Sequence, residues 1–167
     1  GMGKGNFSFD IVSEVNMQEV DNAINQAKKE LYNRYDFKGS ASSVEYKRDE
    51  KKIILITSDD FKLRSLKDIV LTKIVRRKIS PKSLTFGNPE KVFGSNLKQV
   101  VEITTGIPKE KARELVKIIK NLGLKIQVQI EGEKVRVFAP KKDDLQVTIQ
   151  HLKGMDFPIP LSFNNYR

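Results

Sequence analysis

One histidine, His151, and no cysteine are what this chain offers toward metal binding or nucleophilic catalysis beyond its acids and lysines. His151 sits between Gln150 and Leu152 in an amphipathic helical pattern. With no second histidine or thiolate to complete a zinc site or a Cys–His pair, it reads as a surface or boundary side chain. Two carboxylate pairs, Asp59-Asp60 and Asp143-Asp144, have the residue type for acid–base work. Each pair opens a predicted helix, however, where carboxylates accept from free amide groups and suit the dipole, so capping is expected of both. Gly1 to Gly5 places Lys4 among glycines but precedes a strand and lacks Ser or Thr after the lysine, so it is no P-loop. Gly87 to Gly94 has no GxGxxG spacing and reads as a linker. No catalytic residue, metal ligand or cofactor is assigned.

Binding chemistry is better represented. The formal net charge is +10, which predisposes the surface toward phosphate-bearing partners. The excess concentrates between Lys62 and Lys82, where Lys62, Arg64, Lys67, Lys73, Arg76, Arg77, Lys78 and Lys82 are opposed by Asp68 alone. On a helix, Lys73, Arg76 and Arg77 share neighbouring faces, which gives either a solvated stripe or a phosphate-contact surface. Arg136 and Phe138 lie together on the polar face of a predicted strand, beside Gln127 and Gln129. They form a thin platform for stacking and edge-reading a base, or Phe138 is buried between the two halves. Around Tyr35 to Ser40, Gly39 permits a left-handed turn and Lys38 has the charge for a phosphate, with Tyr35 or Phe37 for stacking. The alternative is a helix exit with Phe37 in the core and Asp36 on a nearby cation. Lys141 and Lys142 face a similar choice between anion binding at a helix N-terminus and plain solubility, and Arg167 one between reaching a phosphate and pairing internally.

These residues are carried by an order of elements, strand-helix-strand-strand-helix-strand, that occurs twice. In the first pass Phe7, Phe9 and Ile11 alternate with Ser8 and Asp10 as in a half-buried strand. A helix follows from Met17 to Tyr35, with Asn16 placed to cap it. Val44–Arg48 and Lys52–Thr57 make a strand pair, Phe61–Ile79 a helix capped by Ser58 or Asp59, and Ser83–Phe86 a short strand. The run Ile53 to Ile56 is apolar on both faces and is expected to be covered on both. In the second pass Leu97–Thr104 is a strand, and Pro108 opens a helix whose stripe is Ala112, Leu115, Ile119 and Leu122, ended by Gly123. Lys125–Glu131 and Lys134–Ala139 form a hairpin about Gly132, with Ile126, Val128, Ile130, Val135 and Val137 on one face. A helix at Asp143–Lys153 and a strand through Ile159, Leu161 and Phe163 complete it. The expected class is α+β, with two ferredoxin-like βαββαβ sandwich domains over residues 7–90 and 95–167.

With 38% hydrophobic and 31% charged residues, the composition is that of a soluble globular protein. No apolar run suits a bilayer span, and the lack of cysteine makes a cytoplasmic address the simplest expectation.

Four separated segments then converge. Phe9-Asp-Ile-Val-Ser-Glu-Val15, Tyr35-Asp-Phe-Lys-Gly-Ser40, Lys141-Lys-Asp-Asp-Leu-Gln146 and Pro160-Leu-Ser-Phe-Asn-Asn-Tyr-Arg167 together closely resemble the bacterial YajQ family, over nearly the whole chain. The resemblance implies that the two domains exchange their first strands, residues 7–15 and 97–104. It also implies nucleotide binding without catalysis. The expected partners are a guanine nucleotide (cyclic di-GMP or GTP), tRNA or other RNA, and a transcription regulator. Within that expectation Arg76, Arg77, Arg136 and Phe138 are assigned to guanine edges and stacking, and Lys38 and Lys73 to phosphate. Sequence-tolerant RNA binding along the basic helix and a protein-interaction scaffold are the alternatives.

Overall fold

A computed structural model describes residues 7–167; the glycine-rich segment around Lys4 lies outside the described residues. The elements run β1 (Phe7–Val12), α1 (Met17–Asn33), β2 (Ser43–Lys47), β3 (Lys52–Thr57), α2 (Asp60–Arg76), β4 (Leu84–Phe86), β5 (Glu90–Lys91), β6 (Leu97–Ile103) and α3 (Lys109–Lys120). They continue as β7 (Gln127–Glu131), β8 (Lys134–Ala139), α4 (Lys142–Lys153) and β9 (Ser162–Asn164). The architecture is α+β, with two antiparallel sheets, compatible with two ferredoxin-like units. The chain divides into unit A, residues 7–14 with Thr105–Arg167, and unit B, Val15–Thr104.

Unit A contains the sheet β7-β8-β1-β9, and β1 lies between β8 and β9 with Phe9 opposite Val137 and Ile11 opposite Phe163. Phe9, Ile11, Val135, Val137 and Ala139 make one face of it, and they bury against Leu115 and Ile119 of α3 and Leu145, Ile149 and Leu152 of α4. Each such side chain larger than Ala139 contributes about 1.5–3 kcal/mol by leaving water. Gly132, at φ +61, turns the β7–β8 hairpin. Ser8 and Asp10 are buried, which departs from the expected half-buried strand. Asp10 is covered by Arg136 and Asn165, which reach over it from β8 and from the chain after β9. The last strand is also shorter than the alternation predicts: Ile159 is buried in the core but precedes β9.

Unit B contains β2-β3-β6-β4, with the two-residue β5 also on β6. Leu55, Ile53 and Val101 pack against Val20, Ile24 and Ala27 of α1 and Leu66, Val70 and Ile74 of α2. On the other face of β3, Ile54 and Ile56 are half-buried. Asn16 caps α1 as its type suggests, accepting from the N–H groups of Gln18 and Glu19 at 3.0 and 3.2 Å. Asp59 caps α2 by accepting from Lys62 N–H at 2.7 Å. Asp143 and Asp144 do not cap α4. They lie inside its first turn after Lys141, which makes no side-chain cap bond, so their contribution is charge near the dipole. Helix α2 ends at Arg76 rather than Ile79, because Lys78 adopts φ +61 and Ile79 N–H turns back to Ile74 C=O. The segment expected as a linker, residues 87–94, is instead part of a hairpin: Glu90 pairs with Lys98, and both belong to unit B. No helix among the described residues is long and apolar enough to cross a membrane.

Candidate functional site

Helix α1 stops where Arg34 takes extended dihedrals, and a 3-10 turn, Tyr35–Phe37, follows. Phe37 drops into the core of unit B. Arg34 folds over its ring at 5.6 Å and chelates Asp36 with Nε and Nη2 at 2.9 and 2.8 Å. That pairing holds the Asp36 carboxyl below its ordinary range. The exit is fixed by internal contacts, so Phe37 is not a stacking surface. Gly39, at φ +78 with open space where a Cβ would be, then turns the chain past a row of hydroxyls. Ser40 Oγ lies 2.7 Å from Ser42 Oγ, which in turn lies 2.8 Å from Thr57 Oγ1.

Between this loop, the last turns of α1 and the start of β2 lies a cleft of about 510 Å³. Leu31, Phe37 and Val44 supply its apolar floor, and Lys28, Lys38, Ser40 and Ser43 its polar rim. Tyr32 lines the same cleft and is 86% exposed, a flat side chain held on a helix with its faces open. An apolar floor, lysine donors and an exposed aromatic ring suit a planar base bearing a phosphate.

Lys73, Arg76 and Arg77 lie elsewhere on unit B, along the groove between α1 and α2. Two of them are already engaged: Lys73 Nζ is 3.0 Å from Glu30 Oε1, and Arg77 Nη1 is 3.3 Å from Glu19 Oε2. The hydrogen bond from Lys73, aided by Arg34, keeps the Glu30 carboxyl below its usual range. Arg76 is exposed and makes no ion pair among the described residues, and it shares the groove with Lys29 and Asn33. The predicted stripe is therefore partly neutralised by acids of α1. Arg34 lines the cleft and also the adjoining groove that Arg76 enters.

Arg136 and Phe138 belong to unit A, on the sheet face opposite α3 and α4. Arg136 donates to Asp10 through Nε at 2.7 Å and Nη2 at 3.2 Å, and its Nη1 is 3.2 Å from Glu131. Asn165 Nδ2 donates to Asp10 at 2.9 Å, and Lys134 Nζ is 3.4 Å away. The Arg136 hydrogen bonds outweigh the burial of Asp10 and hold its carboxyl at about 2. Phe138 is half-buried. The guanidinium assigned to guanine recognition is thus committed to a carboxylate across the sheet.

The six predicted residues accordingly occupy three places: Lys38 in the cleft, Lys73, Arg76 and Arg77 in the helix groove, and Arg136 with Phe138 on unit A. Tyr32, Lys28 and the serine row escaped sequence reasoning. Tyr32 falls outside the apolar stripe of α1, where an aromatic at a polar position was the available signal. No group of acids or histidine suited to a metal occurs among the described residues.

Comparison with known proteins places this chain in a family. The model for nucleotide-binding proteins of the YajQ-like type matches residues 7–167. The chain belongs to the YajQ-like family. A relative from Endomicrobium trichonymphae is 50% identical over 96% of this chain and 98% of its own length. Relatives from Carboxydothermus hydrogenoformans, at 47%, and Syntrophotalea carbinolica, at 50%, cover the same shares. All three bear the name nucleotide-binding protein, and none is named as an enzyme. Within the matched residues, Phe37 to Ser40 form the cleft's loop wall.

Proposed function

We propose that this YajQ-like chain is a non-enzymatic, cytoplasmic nucleotide-binding protein. Its ligand is a guanine nucleotide, cyclic di-GMP or GTP, that acts in a regulatory role. The observation that carries the reading is the unit B cleft, where Tyr32 stands exposed above an apolar floor rimmed by Lys28, Lys38 and Ser40. Tyr32 stacks the base, Lys38 and Lys28 donate to phosphate oxygens or to guanine O6 and N7, and the Gly39 turn lets the backbone approach. Arg34 borders both cleft and groove. Arg136 is left out of the contact set because Asp10 and Glu131 already engage its guanidinium. The names of the relatives support nucleotide binding, and the lack of cysteine supports a reducing compartment. The pairing of β1 with β8 and β9, and of β6 with β3 and β4, supports two ferredoxin-like units that have exchanged first strands.

RNA bound along the α1–α2 groove, with a transcription regulator as a further partner, is the second reading, and Arg76, exposed and in no ion pair among the described residues, favours it. Calorimetric titration with cyclic di-GMP, GTP and bulk tRNA at low and physiological salt separates the two. The expected result is saturable guanine-nucleotide binding that survives physiological salt. Lys38→Ala should weaken it at least tenfold, since a charge-assisted hydrogen bond is worth about 1.5–3 kcal/mol. Binding of tRNA alone, fading steeply with salt, would transfer the function to the groove.

A further inference from the structure

Strand β7 is an edge of the unit A sheet, with β8 on one side and, among the described residues, no strand on the other. From Lys125 to Glu131 the chain reads Lys-Ile-Gln-Val-Gln-Ile-Glu, which is complementary to itself when reversed. Laid antiparallel to a second copy about Val128, it sets Lys125 opposite Glu131, Ile126 opposite Ile130 and Gln127 opposite Gln129. The outermost pair has opposite charges, the next is apolar and the two glutamines face each other beside the axis; Lys125 and Ile126 stand just before β7 and would extend it.

The backbone has the parity this register needs. Ser8 exchanges both of its backbone bonds with Arg167, on the far side of β1 from β8. Bonds alternate along antiparallel strands, so Phe9 bonds Val137, and Val137 in turn leaves Val128 unbonded from the β8 side. The N–H and C=O groups of Val128 and Ile130 therefore point outward along the open edge. In the two-fold register each Val128 donates to and accepts from its symmetry mate, and Ile130 N–H meets Ile126 C=O. Ile126 N–H stays on Leu124 C=O, its present partner. Gln127 and Gln129 are exposed, and Ile130 is 41% exposed. Neither a proline nor a bulge blunts this edge, the usual protections against pairing. The β2 edge of unit B differs, since self-pairing about its centre would oppose Glu45 to Glu45.

We propose that β7 is a homodimerisation edge, joining the four-stranded sheets of two copies into one continuous sheet across a two-fold axis at Val128. The test combines sedimentation equilibrium with cysteine pairing on the full chain. The parent protein is expected to show a concentration-dependent dimer. Val128→Pro removes an outward donor without touching the β8 ladder, so it should run as a folded monomer. The register is read by mixing Gln127→Cys with Gln129→Cys proteins, whose Cα atoms would face each other at about 4.5 Å, within disulfide range. Oxidation of the mixture should yield a disulfide heterodimer and each variant alone should yield none; the parent chain has no thiol to confuse the result. A monomer at every concentration, a dimer that survives Val128→Pro, or equal cross-linking in the single-variant controls would overturn the proposal.

Discussion

Replacing Asp10 by asparagine isolates the energetics of the polar face of unit A. Asp10 is 2% exposed and accepts from Arg136, Asn165 and Lys134. Its carboxyl sits at about 2 against an ordinary 3.8. At about 1.36 kcal/mol per unit, the ionised form contributes about 2 kcal/mol to stability. Because the folded value is depressed, that contribution is complete above about pH 4 and drains away as pH falls toward 2. Urea denaturation of the parent and Asp10→Asn proteins across this range reads the effect directly. The expected difference is about 2 kcal/mol at pH 7, narrowing below pH 4 to a few tenths of a kcal/mol near pH 2. Other carboxylates held low, such as Glu30, cancel in the comparison because both proteins carry them. A difference that stays constant with pH would mean that asparagine costs packing rather than charge, and would refute the argument.

Asn16→Ala removes the acceptor for the Gln18 and Glu19 amides and should cost about 1 kcal/mol in a thermal or urea melt, whereas Asn16→Asp should cost little. Gly106 has φ +82, and an added Cβ would clash with the Glu133 carboxylate. Glu133 can swing aside but the backbone cannot, so Gly106→Ala should lose about 1–2 kcal/mol even when combined with Glu133→Ala. If the double variant recovers fully, the clash rather than the backbone sets the cost. Arg76→Ala should leave guanine-nucleotide affinity within a few fold while reducing the salt slope of any tRNA binding, which a filter assay across a salt series would read.

The fold was legible where the pattern was strong. The stripe Ala112, Leu115 and Ile119 of α3, the β7–β8 hairpin and the Asn16 cap lie as their spacing predicts, although Leu122 falls beyond the helix and β7 starts at Gln127 rather than Lys125. Boundaries failed where an ordinary residue takes an unusual conformation: Lys78 at φ +61 ends α2 early, and nothing in a lysine announces that. Strand β5 escaped because two charged residues carry no alternation. For the site, the limit was distance along the chain. Arg136 looks free in the sequence, but its partner Asp10 lies 126 positions away and becomes visible once β1 is known to lie beside β8. Phe37 was ambiguous between stacking and burial, and the Arg34–Asp36 clamp decides for burial.

The central claim is the location of the nucleotide, and amide chemical shifts of isotope-labelled protein titrated with cyclic di-GMP test it most directly. The account expects the largest movements at Tyr32 and from Phe37 to Val44, saturating together, with Arg136 and Phe138 unmoved. Shifts concentrated on β8 with the Lys38 region silent would contradict it.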